Sequence, residues 1–517
     1  MVENFAESRS SQFMKICLKE KKLDNKSKDR WQALAVLLLF SIFFFLRLYK
    51  LGYHDLWYDE ICTIGYAKYP WGNWNAPLYW IILHFWIKIF GISEFSLRFP
   101  SLIFSFLSVI LVFLLGKKLF GKQAGIIASI FIGLSPFHLW YAQEARDYSL
   151  ALFFGTISSY LLFKAIKKNK FILWLSFILT SVAGFYTNYF YIFLFIAHIL
   201  YFLLSRKNRF NFKEIIYFLI IGLSFSFYLP RFLSKFNTVW GGFWIPKPTG
   251  RSLLITLENF VLGYSGSPFL YLISNILIAL CFISGLLLII RNKDLRANFI
   301  FSIFLFCFPI FSAFYFSKIF FSVYLDRGLI IFSPYLYLVL ALGLVSFNKH
   351  IRIILLTLLV SLLFIGDWRY FKDQMIEPYE HHTGSFLKKP FKPILRFIED
   401  EFEEGDFVSV TNINPPVVPS LLFYSRRVRD YRFFFDPKFN DPNWQQPIYE
   451  NQFCVPFYKI NGLLFKRLWI ISCDGGFRSG NLDENSLIVK EWCDKNLRLE
   501  FSKEFDGLWL FRYVKNL

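Results

Sequence analysis

The sequence predicts an α-helical polytopic membrane protein of about eleven transmembrane helices with a C-terminal α/β domain outside the cytoplasm. Of the 517 residues, 55% are hydrophobic and only 18% are charged, which is too few charges to cover the surface of a soluble protein. The apolar residues gather in runs of near-bilayer length, whereas the residues after about 368 have ordinary polarity and alternating helix and strand signals. The same composition excludes intrinsic disorder, collagen, coiled coils and disulfide scaffolds.

The membrane module covers residues 31–367 and begins with an uncleaved signal anchor. Residues 1–30 are basic and remain in the cytoplasm, and the apolar run 31–46 follows without a cleavage site. Ten further spans are expected near residues 97–116, 123–141, 148–166, 171–187, 188–205, 214–231, 269–290, 297–317, 328–347 and 350–366. The net charge of +20 is concentrated in clusters between alternate spans, which favours positive-inside topology over nucleic-acid binding. An odd number of spans then places residues 368–517 outside.

Residues 368–517 are expected to form the small α/β domain. Amphipathic helices are predicted over 390–404 and 484–496, and strands over 407–411, 467–472 and 508–514. The seven cysteines show no C-x-x-C spacing, which argues against a zinc or thioredoxin-like motif. An outer location permits a disulfide between two of Cys454, Cys473 and Cys493, and the sequence does not select the pair.

The first outer loop, residues 51–96, is rich in carboxylates and aromatic side chains. They include Asp55, Asp59, Glu60, Trp57 and Tyr58. An interfacial aromatic belt whose acids cap short helices explains the aromatic residues. It does not explain an adjacent Asp-Glu pair beside a membrane helix, because ionised groups near hydrocarbon are costly and often functional. Within this loop, residues 77–92 are expected to form an amphipathic helix in the outer interface.

Two other outward turns carry charges. Glu144, Arg146 and Tyr148 lie in the first of them, and Glu144 and Tyr148 share a face if the helix continues. A local Glu–Arg ion pair is the alternative interpretation of this turn. Asp326 and Arg327 precede a later span, where Asp326 alone could be a helix cap. Taken together, the three loops indicate one half-buried pocket of carboxylates, arginines and aromatic walls.

Such a pocket suits the transfer of a sugar that is carried on a lipid phosphate. Inverting transfer needs a carboxylate that accepts the proton of the incoming nucleophile. The phosphate leaves as an anion, and a forked guanidinium is a suitable cation to stabilise it. The sequence contains no Asp-x-Asp pair, no G-x-x-x-x-G-K-[ST], no H-E-x-x-H and no G-x-S-x-G, which disfavours nucleotide-sugar enzymes, ATP-driven transporters, zinc proteases and serine hydrolases.

An ordered set of motifs runs through these loops. It consists of Tyr58-Asp59-Glu60, Ala76-Pro77-Leu78-Tyr79, Ser93-Glu94-Phe95-Ser96-Leu97-Arg98, Ser135-Pro136-Phe137-His138, Gln143-Glu144-Ala145-Arg146-Asp147-Tyr148, and Asp326-Arg327 ahead of Ser333-Pro334. In this set the chain resembles the polytopic C-type (GT-C) glycosyltransferases of the protein-O-mannosyltransferase and aminoarabinose-transferase superfamily, which includes glycosyltransferase family 39. The resemblance implies a GT-C fold, an outward-facing site, a polyprenyl-phosphate sugar donor and an inverting reaction.

The resemblance also implies a role for each matching residue. Asp59 becomes the catalytic carboxylate, and Glu60 helps to position the acceptor. Glu144 takes the second acidic position, and Arg146 and Arg327 bind the donor phosphate. The aromatic side chains of Trp57, Tyr58 and Tyr148 are assigned to substrate binding, where they can stack on the sugar.

The sequence assigns no metal ligand and no cofactor. Relatives often carry a His or a charged residue just before the Pro of the first loop, where Asn75-Ala76 stand here, and this departure disfavours a divalent metal by analogy. The expected function is that of a glycosyltransferase in the inner or plasma membrane, which moves a hexose or pentose to an envelope glycan, lipid or protein. The alternative is a flippase or transporter of lipid-linked sugars, which should have charged or broken helices near the midplane in two related halves.

Overall fold

The computed structural model describes residues 30–72, 76–206, 212–240, 245–265, 267–375, 388–411, 418–425, 431–435, 454–473, 482 and 484–516. The chain forms two compact units, Met1–Tyr49 and Lys50–Leu517. The described part of the first unit is the helix α1 (Arg30–Leu48), which is long and apolar enough to cross a membrane. The predicted cytoplasmic segment before it lies outside the described residues.

The second unit begins with a largely helical region. Its helices are α2 (Tyr58–Lys68), α3 (Leu78–Phe90), α4 (Glu94–Phe120), α5 (Lys122–Leu134), α6 (Pro136–Ala142), α7 (Tyr148–Lys168), α8 (Phe171–Phe185), α9 (Tyr191–Arg206), α10 (Phe212–Ser226), α11 (Leu229–Trp240), α12 (Gly250–Leu262), α13 (Pro268–Arg291), α14 (Lys293–Ile319), α15 (Asp326–Leu329), α16 (Ser333–Ser346) and α17 (Lys349–Phe371).

The prediction of a multi-pass helical membrane protein is confirmed, but not its count of eleven spans. Among the described residues, 7 helices are long and apolar enough to cross a membrane, or 8 if the bent pair α5 and α6 forms one span. Every predicted span overlaps at least one helix, and the span predicted at 123–141 covers both α5 and α6. However, α8, α9 and α10 have 15, 16 and 15 residues, which is short of the roughly 20 that a perpendicular crossing needs. Their crossing of the membrane stays a prediction.

The bend between α5 and α6 brings a short helix into the interior of the protein. Ser135, which precedes Pro136, has an extended backbone with φ −66° and ψ 121°, because the proline ring disfavours the helical conformation of the preceding residue. The two helices meet at 61°. The Ser135 hydroxyl accepts the His138 N–H at 3.4 Å and caps α6. All residues of α6 are buried, and its end leads directly into residues 143–147.

The helix α16 occupies the centre of the second unit, where nearly all of its residues are buried. A Cβ atom added to Gly343 would lie 1.9 Å from the carbonyl oxygen of Cys281 on α13. The absent side chain therefore permits α13 and α16 to pack with their backbones in close contact, as small residues do between membrane helices. The helix α3, predicted as amphipathic, buries Tyr79, Trp80 and Leu83 on one face.

The described part of the C-terminal region contains a mixed six-stranded sheet between two layers of helices. Its elements are α18 (Phe391–Glu401), β1 (Phe407–Val410), α19 (Val418–Tyr424), β2 (Tyr431–Phe435), β3 (Cys454–Pro456), β4 (Leu468–Cys473), α20 (Glu484–Asn496), β5 (Leu497–Phe505) and β6 (Leu508–Lys515). The strand order is β3-β2-β1-β4-β6-β5. Strands β1 to β4 pair in parallel, and β6 is antiparallel to β4 and β5.

The alternation of apolar residues along the strands gives the sheet two buried faces. Trp469 and Ile471 of β4 pack against α18, whereas Leu468 and Ile470 face α20. The predicted elements 390–404, 407–411, 467–472, 484–496 and 508–514 are confirmed as α18, β1, β4, α20 and β6. Strands β2, β3 and β5 and the helix α19 were not predicted.

The free thiol of Cys493 is buried among the apolar residues that α20 packs against the sheet. The two possible disulfide pairs that include Cys493 are therefore excluded. The side chains of Cys454 and Cys473, and with them the remaining possible pair, lie outside the described residues.

Candidate active site

The first turn of α2 points its two carboxylates in different directions. The helix begins at Tyr58, and successive side chains on a helix diverge by about 100°. The Asp59 side chain is 19% exposed, whereas that of Glu60 is fully buried. Trp57 is buried at the start of the helix, where its backbone N–H donates to Glu60 Oε2 at 3.4 Å. Tyr58 is half-buried.

Glu60 is held in the interior by Arg98. The Nε and Nη2 atoms of Arg98 each donate to one Glu60 oxygen at 2.8 Å, which is the bidentate geometry that guanidinium and carboxylate favour. The Ala145 N–H donates to the same carboxylate at 2.9 Å. Burial alone would raise the pKa of Glu60, but the charges of Arg98 and Lys388 and these hydrogen bonds lower it to about 2. Glu60 is therefore an anion at neutral pH.

Arg98 also fastens the backbone of the first outer loop. Its Nη1 atom donates to the carbonyl oxygens of Leu51 at 3.0 Å and His54 at 2.8 Å, and Nη2 donates to that of Asp55 at 3.0 Å. A guanidinium has five N–H donors, and all five are used in these contacts and in the pair with Glu60. From the sequence, Arg98 was recognised only as part of a family motif, and no role was predicted for it. The signal that could have revealed it is the presence of a charge in an apolar helix, which is costly without a partner.

Asp59 faces two other arginines. Arg327 Nη1 lies 3.3 Å from Asp59 Oδ2, although the two residues are 268 positions apart. Arg146 Nη1 is 3.5 Å from the backbone carbonyl oxygen of Asp59. Both guanidinium groups lie against the ring of Tyr148, with Cζ-to-centroid distances of 5.8 Å for Arg327 and 6.0 Å for Arg146. The structure thus brings together four of the predicted site residues from three separate loops.

Arg327 is positioned by its neighbours on both sides. Asp326 is buried and accepts hydrogen bonds from Thr256 Oγ1 and Asn259 Nδ2 of α12, each at 2.6 Å. On the other side, a Cβ atom added to Gly328 would lie 2.4 Å from the ring of Phe190. The absence of a side chain at Gly328 therefore lets the loop that carries Arg327 pack against Phe190.

Arg146 is positioned by the turn between α6 and α7. Its backbone carbonyl accepts the Ser101 hydroxyl at 3.1 Å, and its guanidinium lies 5.5 Å from the ring of Trp80. Asp147 accepts a hydrogen bond from Asn188 Nδ2 at 2.8 Å, which connects this turn to the segment between α8 and α9. Burial alone would lower the pKa of Arg146, but the negative charge of Asp59 raises it well above its usual value. Arg146 is therefore a permanent cation.

Two buried polar atoms of this turn have no hydrogen-bond partner. Glu144 is 1% exposed, and although its Oε2 accepts the Trp140 indole N–H at 3.1 Å, Oε1 is unpaired, as is Arg146 Nε. Buried polar atoms are rarely left unsatisfied in native proteins, so these atoms indicate a place for a ligand or water. Burial raises the pKa of Glu144 to about 7.

A narrow cleft of about 10 Å³, room for about one water molecule, lies beside Trp140, the residue whose indole N–H donates to Glu144. It is lined by His54, Trp140, Tyr370, Asp373, Met375 and Lys388. Lys388 donates to the backbone carbonyl of Gln143 at 2.6 Å and lies 3.7 Å from Glu60 Oε1. Burial lowers the pKa of Lys388 to about 8. The C-terminal region therefore contributes a side chain to the surroundings of both Glu60 and Glu144.

The described residues offer no set of metal ligands, since no group of three or more His, Cys, Asp or Glu side chains among them could hold a metal ion. His54 illustrates the point, because it contacts a single carboxylate, Asp373, at 3.3 Å. Asn75 lies outside the described residues. No chemical step is therefore assigned to a metal.

Comparisons of sequence relate part of the chain to mannosyltransferases, and comparisons of fold relate nearly all of it to ArnT. Residues 75–233 match the family model described as dolichyl-phosphate-mannose-protein mannosyltransferase. The chain is 29% identical over 165 residues to the putative mannosyltransferase YkcB of Bacillus subtilis (strain 168), which covers 32% of this chain and 22% of that protein. It is 28% identical over 156 residues to an uncharacterized protein of Aquifex aeolicus (strain VF5), covering 27% and 31% of the two chains. These alignments thus span less than a third of either relative.

The fold extends the similarity to nearly the whole chain. The crystal structure of ArnT from Cupriavidus metallidurans in the apo state has a TM-score of 0.58 with 11% identity, and the match covers 94% of this chain and 98% of ArnT. The structure of the same protein bound to undecaprenyl phosphate has a TM-score of 0.55 with 12% identity, over 93% and 98% of the two chains. The predicted resemblance to the polytopic C-type glycosyltransferases is therefore confirmed. The chain is similar to the mannosyltransferase family over residues 75–233 and has an ArnT-like fold.

Proposed function

We propose that this protein is an integral membrane glycosyltransferase that moves a sugar from a polyprenyl-phosphate donor to an extracytoplasmic acceptor, with inversion at the anomeric carbon and Asp59 as the general base. The observation that carries the proposal is the meeting of Asp59 with two guanidinium groups against the ring of Tyr148, where Arg327 contacts the Asp59 carboxylate and Arg146 contacts its backbone carbonyl. The family match and the undecaprenyl phosphate bound to ArnT, a protein of the same fold, support the choice of donor class.

The charges around Asp59 suit an anionic donor. Arg98 is neutralised by Glu60 and uses all its donors within the protein. Arg327, in contrast, pairs with the Asp59 carboxylate, whereas Arg146 contacts the backbone carbonyl of Asp59 and its Nε has no partner. A phosphate that enters beside them gains charge-assisted hydrogen bonds from guanidinium groups that are already desolvated. This difference supports the predicted assignment of Arg146 and Arg327 to the donor phosphate.

The reaction follows from the same arrangement. Asp59 accepts the proton of the acceptor hydroxyl while the hydroxyl oxygen attacks the anomeric carbon on the face opposite the phosphate. The bond between this carbon and the phosphate oxygen breaks, and its electron pair stays on the phosphate. Arg146 and Arg327 stabilise the charge of the leaving polyprenyl phosphate, so no general acid is needed. Asp59 then releases the proton to water.

The remaining predicted site residues act around this centre. Both oxygens of Glu60 accept hydrogen bonds from Arg98, which favours a role in positioning the loop over direct contact with the acceptor. Glu144 offers its unpaired Oε1 to a substrate hydroxyl. Tyr148 presents its ring beside the two arginines, and Trp57 and Tyr58 complete the aromatic surroundings of Asp59. The acceptor, an envelope glycan or lipid rather than a protein, the outward orientation of the site and the cytoplasmic N-terminus belong to the same proposal.

The alternative function, a flippase or transporter of lipid-linked sugars, has one feature in its favour, the bent pair of α5 and α6. The residues that the structure describes contain 1 such pair, whereas a transporter built from repeats should contain two in corresponding positions. A flippase would also leave the anomeric bond intact, which the following experiment detects.

The test uses the purified full-length protein in detergent with a panel of polyprenyl-phosphate sugars and an envelope extract. The released polyprenyl phosphate and the glycosylated product are both quantified. Asp59→Asn should lower turnover by at least about 10²-fold, because a general base contributes that much. Asp400→Asn, at an exposed position of α18, is the matched control and should retain wild-type turnover. Near-normal turnover of a folded Asp59→Asn protein would remove Asp59 from the role of base.

Donor binding is tested separately. Arg327→Ala should raise the KM for the donor about tenfold or more, because a charge-assisted contact to phosphate is lost. Arg291→Ala removes an exposed arginine at the end of α13 and should leave this KM unchanged. An unchanged KM in Arg327→Ala would exclude Arg327 from the phosphate site.

A further inference from the structure

A polar contact set connects the C-terminal region to the loop that precedes Asp59. We call it the loop clamp, and it consists of Lys392 and Tyr424 on one side and Asp55, Leu56 and Glu94 on the other. The Lys392 backbone N–H donates to Asp55 Oδ2 at 2.9 Å, and Lys392 Nζ lies 3.3 Å from Asp55 Oδ1. The Tyr424 hydroxyl accepts the Leu56 N–H at 2.7 Å and donates to Glu94 at 2.8 Å. Lys392 also pairs with Glu94.

The loop residues of the clamp, Asp55 and Leu56, are shielded from water. Asp55 is 7% exposed and Leu56 is fully buried, and the ring of Tyr424 packs against the apolar cluster that contains Leu56, Trp80 and Leu97. The Leu56 N–H therefore exchanges its hydrogen-bond partner with water only when this contact opens. A buried N–H that loses its partner is costly, so the Tyr424 hydroxyl is a strong constraint on the backbone at Leu56.

The clamp and Arg98 hold the same residues from opposite sides. Arg98 binds the backbone carbonyl of Asp55, and Lys392 binds its carboxylate. Residues 55 and 56 lead directly into the first turn of α2, where Asp59 stands. A shift of this loop by about 1 Å would move the base relative to the two guanidinium groups, and misplacements of that size cost catalysts up to about 10²-fold.

We propose that the C-terminal region is a positioning element of the active site, in which Tyr424 and Lys392 set the place of Asp59 by fixing residues 55 and 56. They are positioning residues, since neither contacts Asp59 in the described structure. This inference rests on the proposed function for its effect on catalysis, but its effect on the loop is independent of the reaction. It gives the C-terminal region a role in the organisation of the catalytic loop.

The first experiment measures the loop without activity. Hydrogen–deuterium exchange of the full-length protein in detergent is compared between wild type, Tyr424→Phe and the control Tyr458→Phe, which alters an exposed tyrosine of the same region. Tyr424→Phe keeps the ring and removes only the hydroxyl, so the protein should remain folded. Exchange of the peptide that contains Leu56 should be at least about tenfold faster in Tyr424→Phe and unchanged in Tyr458→Phe. Equal exchange in Tyr424→Phe and wild type would overturn the proposal.

The second experiment measures catalysis. In Tyr424→Phe and Lys392→Met, kcat should fall about tenfold while the KM for the donor changes less than twofold, because the base moves and the arginines stay. Lys392→Arg should restore most of kcat, and Lys459→Met, at an exposed lysine, should have no effect. A rise in donor KM without a fall in kcat would contradict the positioning role. If exchange of the Leu56 peptide rises in Tyr424→Phe but the wild-type protein transfers no sugar, the proposed function is wrong, whereas the role of the loop clamp in fixing residues 55 and 56 is supported.

Discussion

Replacing Arg98 with methionine should release the loop that carries Asp59, although the site of change is buried inside the protein. Methionine keeps an unbranched apolar side chain and removes all five N–H donors. Glu60 then keeps only the Ala145 N–H at 2.9 Å, the more distant Trp57 N–H at 3.4 Å and Lys388 at 3.7 Å. The three carbonyl oxygens of the loop lose their shared partner as well.

The magnitude follows from the burial of the pair. Removing one partner of a buried ion pair costs about 3–5 kcal/mol, which corresponds to roughly 10²- to 10⁴-fold in an opening equilibrium at about 1.4 kcal/mol per factor of ten. The lost contacts to the carbonyl oxygens of Leu51, His54 and Asp55 add to this, at about 1 kcal/mol each. In the double variant Arg98→Met/Glu60→Leu neither member of the ion pair is left buried without its partner, so part of the loss should be recovered.

The assay is hydrogen exchange of the Ala145 amide and of residues 51–60 in the detergent-purified protein, together with sugar transfer. The Arg98→Met protein should exchange these amides at least about 10²-fold faster and should lose transfer. Arg98→Lys keeps the positive charge but loses the bidentate geometry, so it should raise amide exchange and lower sugar transfer almost as much as Arg98→Met does. Exchange within about threefold of wild type in Arg98→Met would refute the view that Arg98 organises the loop.

Three further results are expected. Donor affinity should weaken as the pH rises through about 7, because ionised Glu144 adds a negative charge near the phosphate. A series of donor KM values against pH should show no such inflection in Glu144→Gln. Gly328→Ala should lower sugar transfer about tenfold, because its Cβ would lie 2.4 Å from the ring of Phe190. The control Gly222→Ala, whose Cβ has no neighbour within 4 Å, should leave transfer intact and raise the melting temperature slightly. Equal transfer by the two variants would contradict a role for the Gly328–Phe190 contact. The pKa of Glu60 is lowered from 4.5 to about 2, so its stabilising contribution should be complete above about pH 4.5 and lost as the pH falls through about 2, and an acid-unfolding curve insensitive to Glu60→Gln would contradict it.

Part of the candidate site could be predicted because sidedness follows from the sequence. Connections that alternate with the basic clusters must lie on one side of the membrane. This reasoning predicted that Asp59, Arg146 and Arg327 lie in one pocket, and the structure places the two arginines in contact with Asp59. The partner of Glu60 could not be found in this way, since its direction depends on the register of α2 and on the depth of Arg98 in the neighbouring helix.

The extent of the membrane helices was also only partly predictable. Hydropathy marks where an apolar run lies, but Tyr186 and Phe190 continue such a run beyond the end of α8, so that two short helices and their connection look like two full spans. In the C-terminal region, the predicted strands β1, β4 and β6 have buried residues on both faces. The strand β5 was missed because it is mostly exposed, and the loop clamp was missed because the helix α19 that carries Tyr424 was missed.

The edges of the C-terminal sheet have a consequence for how the protein behaves in a crowded envelope. One edge strand, β3, has only 3 residues and ends at Pro456, and the other, β5, exposes Arg498, Glu500, Lys503 and Glu504 and shifts register between Leu499 and Phe501. Short, charged and irregular edges are poor templates for the addition of another strand. Neighbouring copies therefore gain little from sheet-to-sheet polymerisation, even at the high local densities of a membrane surface.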